Sequence, residues 1–297
     1  MSYLAESELV INPDGSIYHL HLLPEQLADI VITVGDPDRV AMVSKYFDRV
    51  DEKVQKREFI THTGELKGHR ISVISTGIGP DNIDIVAQEL DALANIDFRS
   101  RMPKPEHKSL TLIRIGTAGG LQPDGDVDSF VASSYGVGLD GLMHYYPFVN
   151  SANEHMVYHE LMEYTRHRLN FPIRPYVTGA SEDLINNLGR NFTTGITLTC
   201  PGFYGPQGRS LRVNPAEPDM LEVLGNFDYQ GQRITNLEME TAALYGMSNM
   251  LGHKAISFSA ILANRRNGIF SRDPKAVVDR LIREVLDLVS LHVLSAV

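Results

Sequence analysis

Residues 29–47 read DIVITVGDPDRVAMVSKYF. A β-branched run, Ile30 to Val34, meets Gly35-Asp36-Pro37, and apolar residues follow at Val40, Val43 and Phe47. That order predicts a strand, a tight turn and a helix. The unit returns downstream, where ISVIST (71–76) meets GIGPDN and then IDIVAQELDALANI, whose apolar residues recur at three and four. LTLIRIG (110–116) is a near-continuous apolar run, as expected of a strand covered on both faces. Further strands are predicted at SFVASS (129–134), RPYVTGAS (174–181), TGITLTC (194–200) and KAISFSAILAN (254–264), and a hairpin at REFITHTGELKGHRISVIST (57–76). Helices are predicted over 154–170, briefly over 220–224, after LEMET, and from Pro274 to Val297. Strands alternating with helices predict an α/β fold with a largely parallel sheet. In such sheets the ligand sits beyond the carboxyl ends of the strands.

Composition narrows the function. The 297 residues are 43% hydrophobic and 22% charged, ordinary globular values that exclude collagen-like and disordered classes. The chain reads as one domain over 1–297, with an irregular arm over 1–28 and a Gly/Pro-rich, polar lid region over 200–232. The net charge of −10 argues against a broad basic face for nucleic acid, though a pocket can still gather a few arginines around a small anion. Cys200 is the only cysteine, so no intrachain disulfide forms. MSYLAESELV is not a signal peptide and no run approaches 18 apolar residues, so the expectation is a cytoplasmic protein that engages no membrane.

The loops after the strands carry the chemistry. Gly35 lets an anion approach backbone N–H groups at a helix start, and Arg39 adds a cationic fork. Arg114 sits inside an apolar strand, where a lone guanidinium is costly unless an anion meets it. Thr117 follows on a glycine-flanked turn, and Arg57 opens the hairpin. Three arginines and backbone amides suit a dianionic phosphate; singly, each reads equally as an ion pair or a surface charge. Glu238 and Glu240, either side of Met239, read as helix capping or as acceptors for a diol. Phe203, Gln207 and Arg209 combine a stacking face, an amide that donates and accepts, and a second donor, which matches the edge of uracil; a mobile surface loop is the plainer reading.

Other patterns carry less. Gly136-Val137-Gly138-Leu139-Asp140-Gly141 matches G-x-G-x-x-G, but Pro147 interrupts the segment after it, so no long phosphate-binding helix opens there. His155 and His159 lack the H-E-x-x-H order, so a metal site is not expected there.

VITVGDPDRV, REF, STGIG, LIRIGTAGGLQ, FYGPQGR, LEMET and LANR, in this order and spacing, resemble the nucleoside phosphorylase family with trimeric and hexameric members. The resemblance runs from about His19 to the terminal helix. It implies a three-layer α/β/α domain around a mixed, largely parallel twisted sheet. It also implies reversible phosphorolysis of uridine to uracil and ribose 1-phosphate. By resemblance, Gly35, Arg39, Arg57, Arg114 and Thr117 bind phosphate, with Arg57 supplied by a neighbouring subunit. His19 would cross the same interface to the ribose, which Glu238, Met239 and Glu240 hold. Phe203, Gln207, Arg209, Leu262 and Arg265 form the base site, and Arg114, Gln207 and Arg209 act in catalysis.

The resemblance implies a homo-oligomer, a dimer with shared sites assembling into a hexamer, and no cofactor. Some members bind a monovalent cation at the dimer interface through residues matching Glu58 and Ile78, but Asn82 stands here where they have Ser. Ala118 replaces a common hydroxyl residue, the base loop carries Gly205-Pro206, and the loop over 97–109 is longer than in short bacterial relatives. Relatives acting on purines place an Asp near Asn264-Arg265. The alternatives are therefore a purine phosphorylase or nucleosidase of the same fold, or a non-catalytic nucleoside-binding protein.

Overall fold

The computed structural model describes residues 3–292. The opening stretch folds as read: β1 (Ile30–Val34) is buried throughout, and Asp36 caps α1 (Pro37–Ser44) by accepting the Asp38 N–H at 3.0 Å. An antiparallel meander follows, β2 (Arg49–Lys56), β3 (Phe59–Leu66) and β4 (His69–Ser75). Helix α2 (Pro80–Asn95) leads to a two-residue ribbon, β5 (Ile96–Asp97) with β6 (Met102–Pro103). The next strands are β7 (Thr111–Gly120) and β8 (Phe130–Gly138). Then come α3 (Ala152–Thr165), β9 (Tyr176–Gly179), α4 (Glu182–Asn187) and β10 (Thr193–Thr199). After α5 (Met220–Gly225), β11 (Asp228–Tyr229) pairs with β12 (Gln232–Glu238), which enters α6 (Thr241–Leu251). The chain continues through β13 (Lys254–Asn264) and β14 (Ile269–Phe270) to α7 (Pro274–His292). The last residues of the predicted terminal helix, 293–297, lie outside the described ones.

The sheet is mixed, as expected. It runs β11-β12-β10-β8-β13-β7-β1-β4-β3-β2, with parallel pairing within β13–β7–β1–β4 and within β8–β10–β12. Antiparallel contacts join those halves at β13–β8 and again where the end of β7 pairs with β12. Five strands, β7, β13, β8, β10 and β12, therefore close into a ring at the end where the candidate residues gather. Three layers form around the sheet. Val40 and Val43 of α1 and Leu281, Ile282 and Val285 of α7 pack on Ile113, Ile115 and Phe258. On the other face Ile83, Val86 and Leu90 of α2 and Leu244 and Tyr245 of α6 pack on Val31, Ile74 and Leu112. Helices α3 and α5 cover β8, β9, β10 and β12. Among the described residues no helix is long and apolar enough to cross a membrane.

Several segments depart from the sequence reading. Thr117-Ala118-Gly119-Gly120 continues β7 instead of turning, so Thr117 is an in-strand residue. Gly136 and Gly138 lie in β8, because Ala242 and Tyr176 pack where their Cβ atoms would stand. The apparent dinucleotide motif is thus a site of close strand–helix packing. The helix predicted over 154–170 starts at Ala152 and ends at Thr165. Ser151 and Glu154 form a capping box, in which each side chain accepts the other's backbone N–H.

Candidate active site

Arg114 lies near the middle of β7 and is only 4% exposed. Alternation puts Thr117 on the face of Ile113 and Ile115 and Arg114 on the opposite one. The Arg114 guanidinium curls over Gly116, where a Cβ would stand 1.9 Å from Nη1. Its Nη2 meets two carboxylates, Glu240 and, at 3.1 Å, Glu238. Nη1 is buried with no hydrogen-bond partner, which marks it as a donor awaiting an acceptor. Burial works to lower the Arg114 pKa, but the Glu238 and Glu240 charges outweigh it and hold the guanidinium above its ordinary value. Arg39, half-buried at the start of α1, donates to the Ile115 carbonyl at 3.2 Å. Its pKa is lowered first by burial and then by Arg114. Two guanidiniums therefore share one desolvated place. Gly35 closes it from the β1 side, where an added Cβ would sit 3.4 Å from the Gly77 carbonyl oxygen.

The LEMET turn carries both capping and binding features. Glu238 accepts N–H bonds from Glu240 at 2.9 Å and from Thr241 at 3.0 Å, and the Thr199 hydroxyl at 2.7 Å. Its carboxylate is taken up by the start of α6. Glu240 accepts the Gly79 N–H at 2.8 Å and meets Arg114. Burial above all, with Glu238 beside it, pushes the Glu240 carboxyl up against the opposing pull of Arg114. Met239 between them is half-buried.

The base-loop residues also converge. Gln207 is 2% exposed, and its Oε1 accepts from Arg209 Nη1 at 2.5 Å. The Arg209 guanidinium lies 3.6 Å over the Phe203 ring and donates to the Phe203 carbonyl. Arg265 donates to the Gln207 carbonyl at 3.1 Å, and its own N–H ties to Gly120 at the end of β7. Burial and the Arg265 charge lower Arg209 to about 10. Among the described residues neither arginine has a carboxylate partner within ion-pair distance. Cys200, buried just after β10, donates its N–H to the Glu238 carbonyl at 2.9 Å, and burial above all, then Glu238, pushes its thiol up. Leu262 is half-buried against the core beneath α7.

His19 on the arm and Arg57 in the turn between β2 and β3 form a separate group. His19 Nδ1 and its backbone N–H bond Glu89 of α2 at 2.7 and 3.0 Å. Tyr18 lies edge-on to His19 at 4.7 Å and under the exposed Arg57 at 5.9 Å. Glu58, Ile78 and Asn82 cluster around Gly77, whose Cβ would come 2.4 Å from the Asn82 amide nitrogen.

Two residues change the reading of neighbouring features. Asn264 donates to the Gln122 and Gly125 carbonyls at 3.0 and 2.7 Å and accepts from the Arg266 and Asn267 N–H groups. Its side chain ties two loops together, and Arg265 is the neighbour that reaches the base loop. Asp91, His107 and His253 offer ligand atoms within 4.8 Å of one another. However, the Leu110 N–H donates to His253 Nδ1 at 3.1 Å, which leaves the imidazole proton on Nε2, facing Asp91 at 3.3 Å. That nitrogen has no lone pair to give an ion.

Residues 29–290 match the family described as the phosphorylase superfamily, and the chain belongs to it. It is 32% identical over 259 residues to a uridine phosphorylase of Thermococcus kodakarensis, covering 87% of this chain and 81% of that one. It is 29% identical to a uridine phosphorylase of Escherichia coli, covering 84% and 87%. A crystal structure of a Trypanosoma brucei nucleoside phosphorylase, described as showing uridine phosphorylase activity, superposes with a TM-score of 0.87 at 27% identity. That match covers 95% of this chain and 99% of the other.

Proposed function

We propose that this chain catalyses reversible phosphorolysis of uridine, giving uracil and ribose 1-phosphate. The observation that carries the reading is the division of charge in the site. At one end Arg114 and Arg39 crowd together, with the buried Arg114 Nη1 unpartnered. That is a place for a multiply charged anion. At the other end Arg209 and Arg265 are half-buried without a carboxylate, beside the Gln207 amide. As the glycosidic bond stretches, the ribosyl group becomes cationic and the base anionic. Phosphate on Arg39 and Arg114 attacks the cationic carbon. Gln207 and Arg209 stabilise the charge that develops on the uracil carbonyls, preorganised as an oxyanion hole is. Glu240 accepts the ribose hydroxyls. Among the described residues the base-end arginines have no carboxylate within ion-pair distance, and Asn264 precedes Arg265, which favours a pyrimidine leaving as an anion over a purine that needs a proton. The relatives named uridine phosphorylase support this choice.

His19 of the arm and Arg57 of the β2–β3 turn lie on one patch around Tyr18 and would complete a partner's site, making the working unit a dimer within a cytoplasmic homo-oligomer. The reaction needs no cofactor.

The test is a panel of uridine, thymidine, inosine and adenosine, each with and without phosphate. Uridine should be consumed only when phosphate is present. Turnover of inosine but not uridine would overturn the base assignment, and turnover without phosphate would make the enzyme a hydrolase.

A further inference from the structure

Thr199 has no exposed surface and ends β10 directly across from Glu238, the last residue of β12. A bulge sets that register. Ile196 pairs with Ile234, but Thr197 pairs with Asn236, so Thr235 is the extra residue and Glu238, rather than Leu237, comes opposite Thr199. Gly195 makes the room, since a Cβ there would lie 2.3 Å from the Thr235 methyl. From this position the Thr199 hydroxyl donates to Glu238 Oε1 at 2.7 Å and accepts the Ala242 N–H at 2.8 Å. Both roles of the hydroxyl are filled, so its proton has one direction to point. Glu238 in turn bonds the N–H groups of Glu240 and Thr241 and lies 3.1 Å from Arg114 Nη2. Every acceptor direction of that carboxylate is therefore used inside the protein.

We infer that Thr199 and Glu238 are positioning residues that aim Arg114 at phosphate, and that Glu238 is not a direct ribose ligand. This rests on the phosphorolysis reading of the same site. The logic is electrostatic and rotational: Arg114 Nη2, hydrogen-bonded to Glu240, is also ion-paired with Glu238 at 3.1 Å, and the Thr199 hydroxyl helps to fix the plane of the Glu238 carboxylate. Without the hydroxyl, Glu238 Oε1 keeps only the Thr241 N–H. The carboxylate can then turn, and Arg114 Nη1 loses its direction.

The test compares wild type, Thr199→Val and Thr199→Ser. Inorganic phosphate is titrated calorimetrically into the free enzyme, and uracil into a parallel sample. Thr199→Val should weaken phosphate binding about ten- to hundred-fold, the scale of a buried hydrogen bond to a charged group, while uracil binding holds. Thr199→Ser, which restores the hydroxyl, should bind phosphate near the wild-type level. Equal phosphate affinity in wild type and Thr199→Val overturns the relay, as does equal weakening in Val and Ser, which would point to lost packing. Should Thr199→Val not fold, hydrogen exchange at the Glu240 and Thr241 amides of wild type decides. Saturating phosphate should slow it, and unchanged exchange overturns the relay. The functional reading fails separately, on absence of phosphate-dependent uridine turnover by wild type.

Discussion

Gly116 is the residue on which the phosphate end depends without taking part in it. Arg114 reaches its place by lying across Gly116, and any Cβ at 116 stands where Nη1 now is. The guanidinium cannot simply swing aside, because Glu238 and Glu240 hold Nη2. Gly116→Ala should therefore cost about 100-fold in kcat/KM for phosphate, the scale of an ångström's misplacement of a binding group, with charge unchanged and uracil binding intact. Full activity would mean that Arg114 does not work in the observed rotamer. Glu240 gives a second expectation at this scale. Burial, then Glu238, push its carboxyl up, so it takes a proton while exposed glutamates are still ionised. A protonated Glu240 loses its ion pair and acceptor strength. Uridine kcat/KM should fall on acidification with a midpoint above the ordinary glutamate value. Glu240→Gln should lack that limb, and its survival in the variant assigns the titration elsewhere. Stability runs the other way: a carboxyl raised on folding stabilises most at low pH, and the contribution fades as pH climbs through its folded value.

At the scale of elements, the strand-turn-helix units were legible because β-branched runs, glycines and three–four spacing all agree at Ile30–Val43 and Ile71–Ile83. The sheet order was not, since pairing joins residues far apart in the chain. Strand β2 (RVDEKVQK) was missed for a physical reason: it is an edge strand with a mostly exposed, charged face, and it carries no apolar run. The TAGG stretch was read as a turn because small residues and glycines mark turns. Here they let β7 bend into contact with β12 while Arg265 packs on Gly119. The site residues were legible as types in loops and by resemblance, but their bonds to one another were not. Nothing in FYGPQGR says that Arg209 rests on Phe203 and Gln207. Likewise LEMET alone leaves open which carboxylate caps α6. The capping box at Ser151 and Glu154 was readable and would have moved the start of α3 to Ala152.

For the whole molecule the question is how many chains make a site. Arg114 belongs to β7 and Gln207 to the loop after β10, whereas Arg57 and His19 sit on a patch tied to α2 through Glu89. If the patch serves a partner, Arg57→Ala and Arg114→Ala are lesions of different halves. Mixing the two inactive variants should restore activity once subunits exchange, because some sites then combine both intact arginines. No recovery after verified exchange, or a fully active monomer in sedimentation, counts against shared sites.

The closed ring of strands also fixes when a site can exist. Strand β7 is made early, yet Gly120 waits for Asn236 and Arg114 waits for Ser257 before the ring is complete. Throughout that interval on the ribosome a buried strand has an open edge, and its arginine has no carboxylate. Pairings of such long range are slow to form, and unpaired edges invite aggregation. A nascent chain halted before β12 lacks both carboxylates that hold Arg114, so the site is complete only after β12 and β13 have been made.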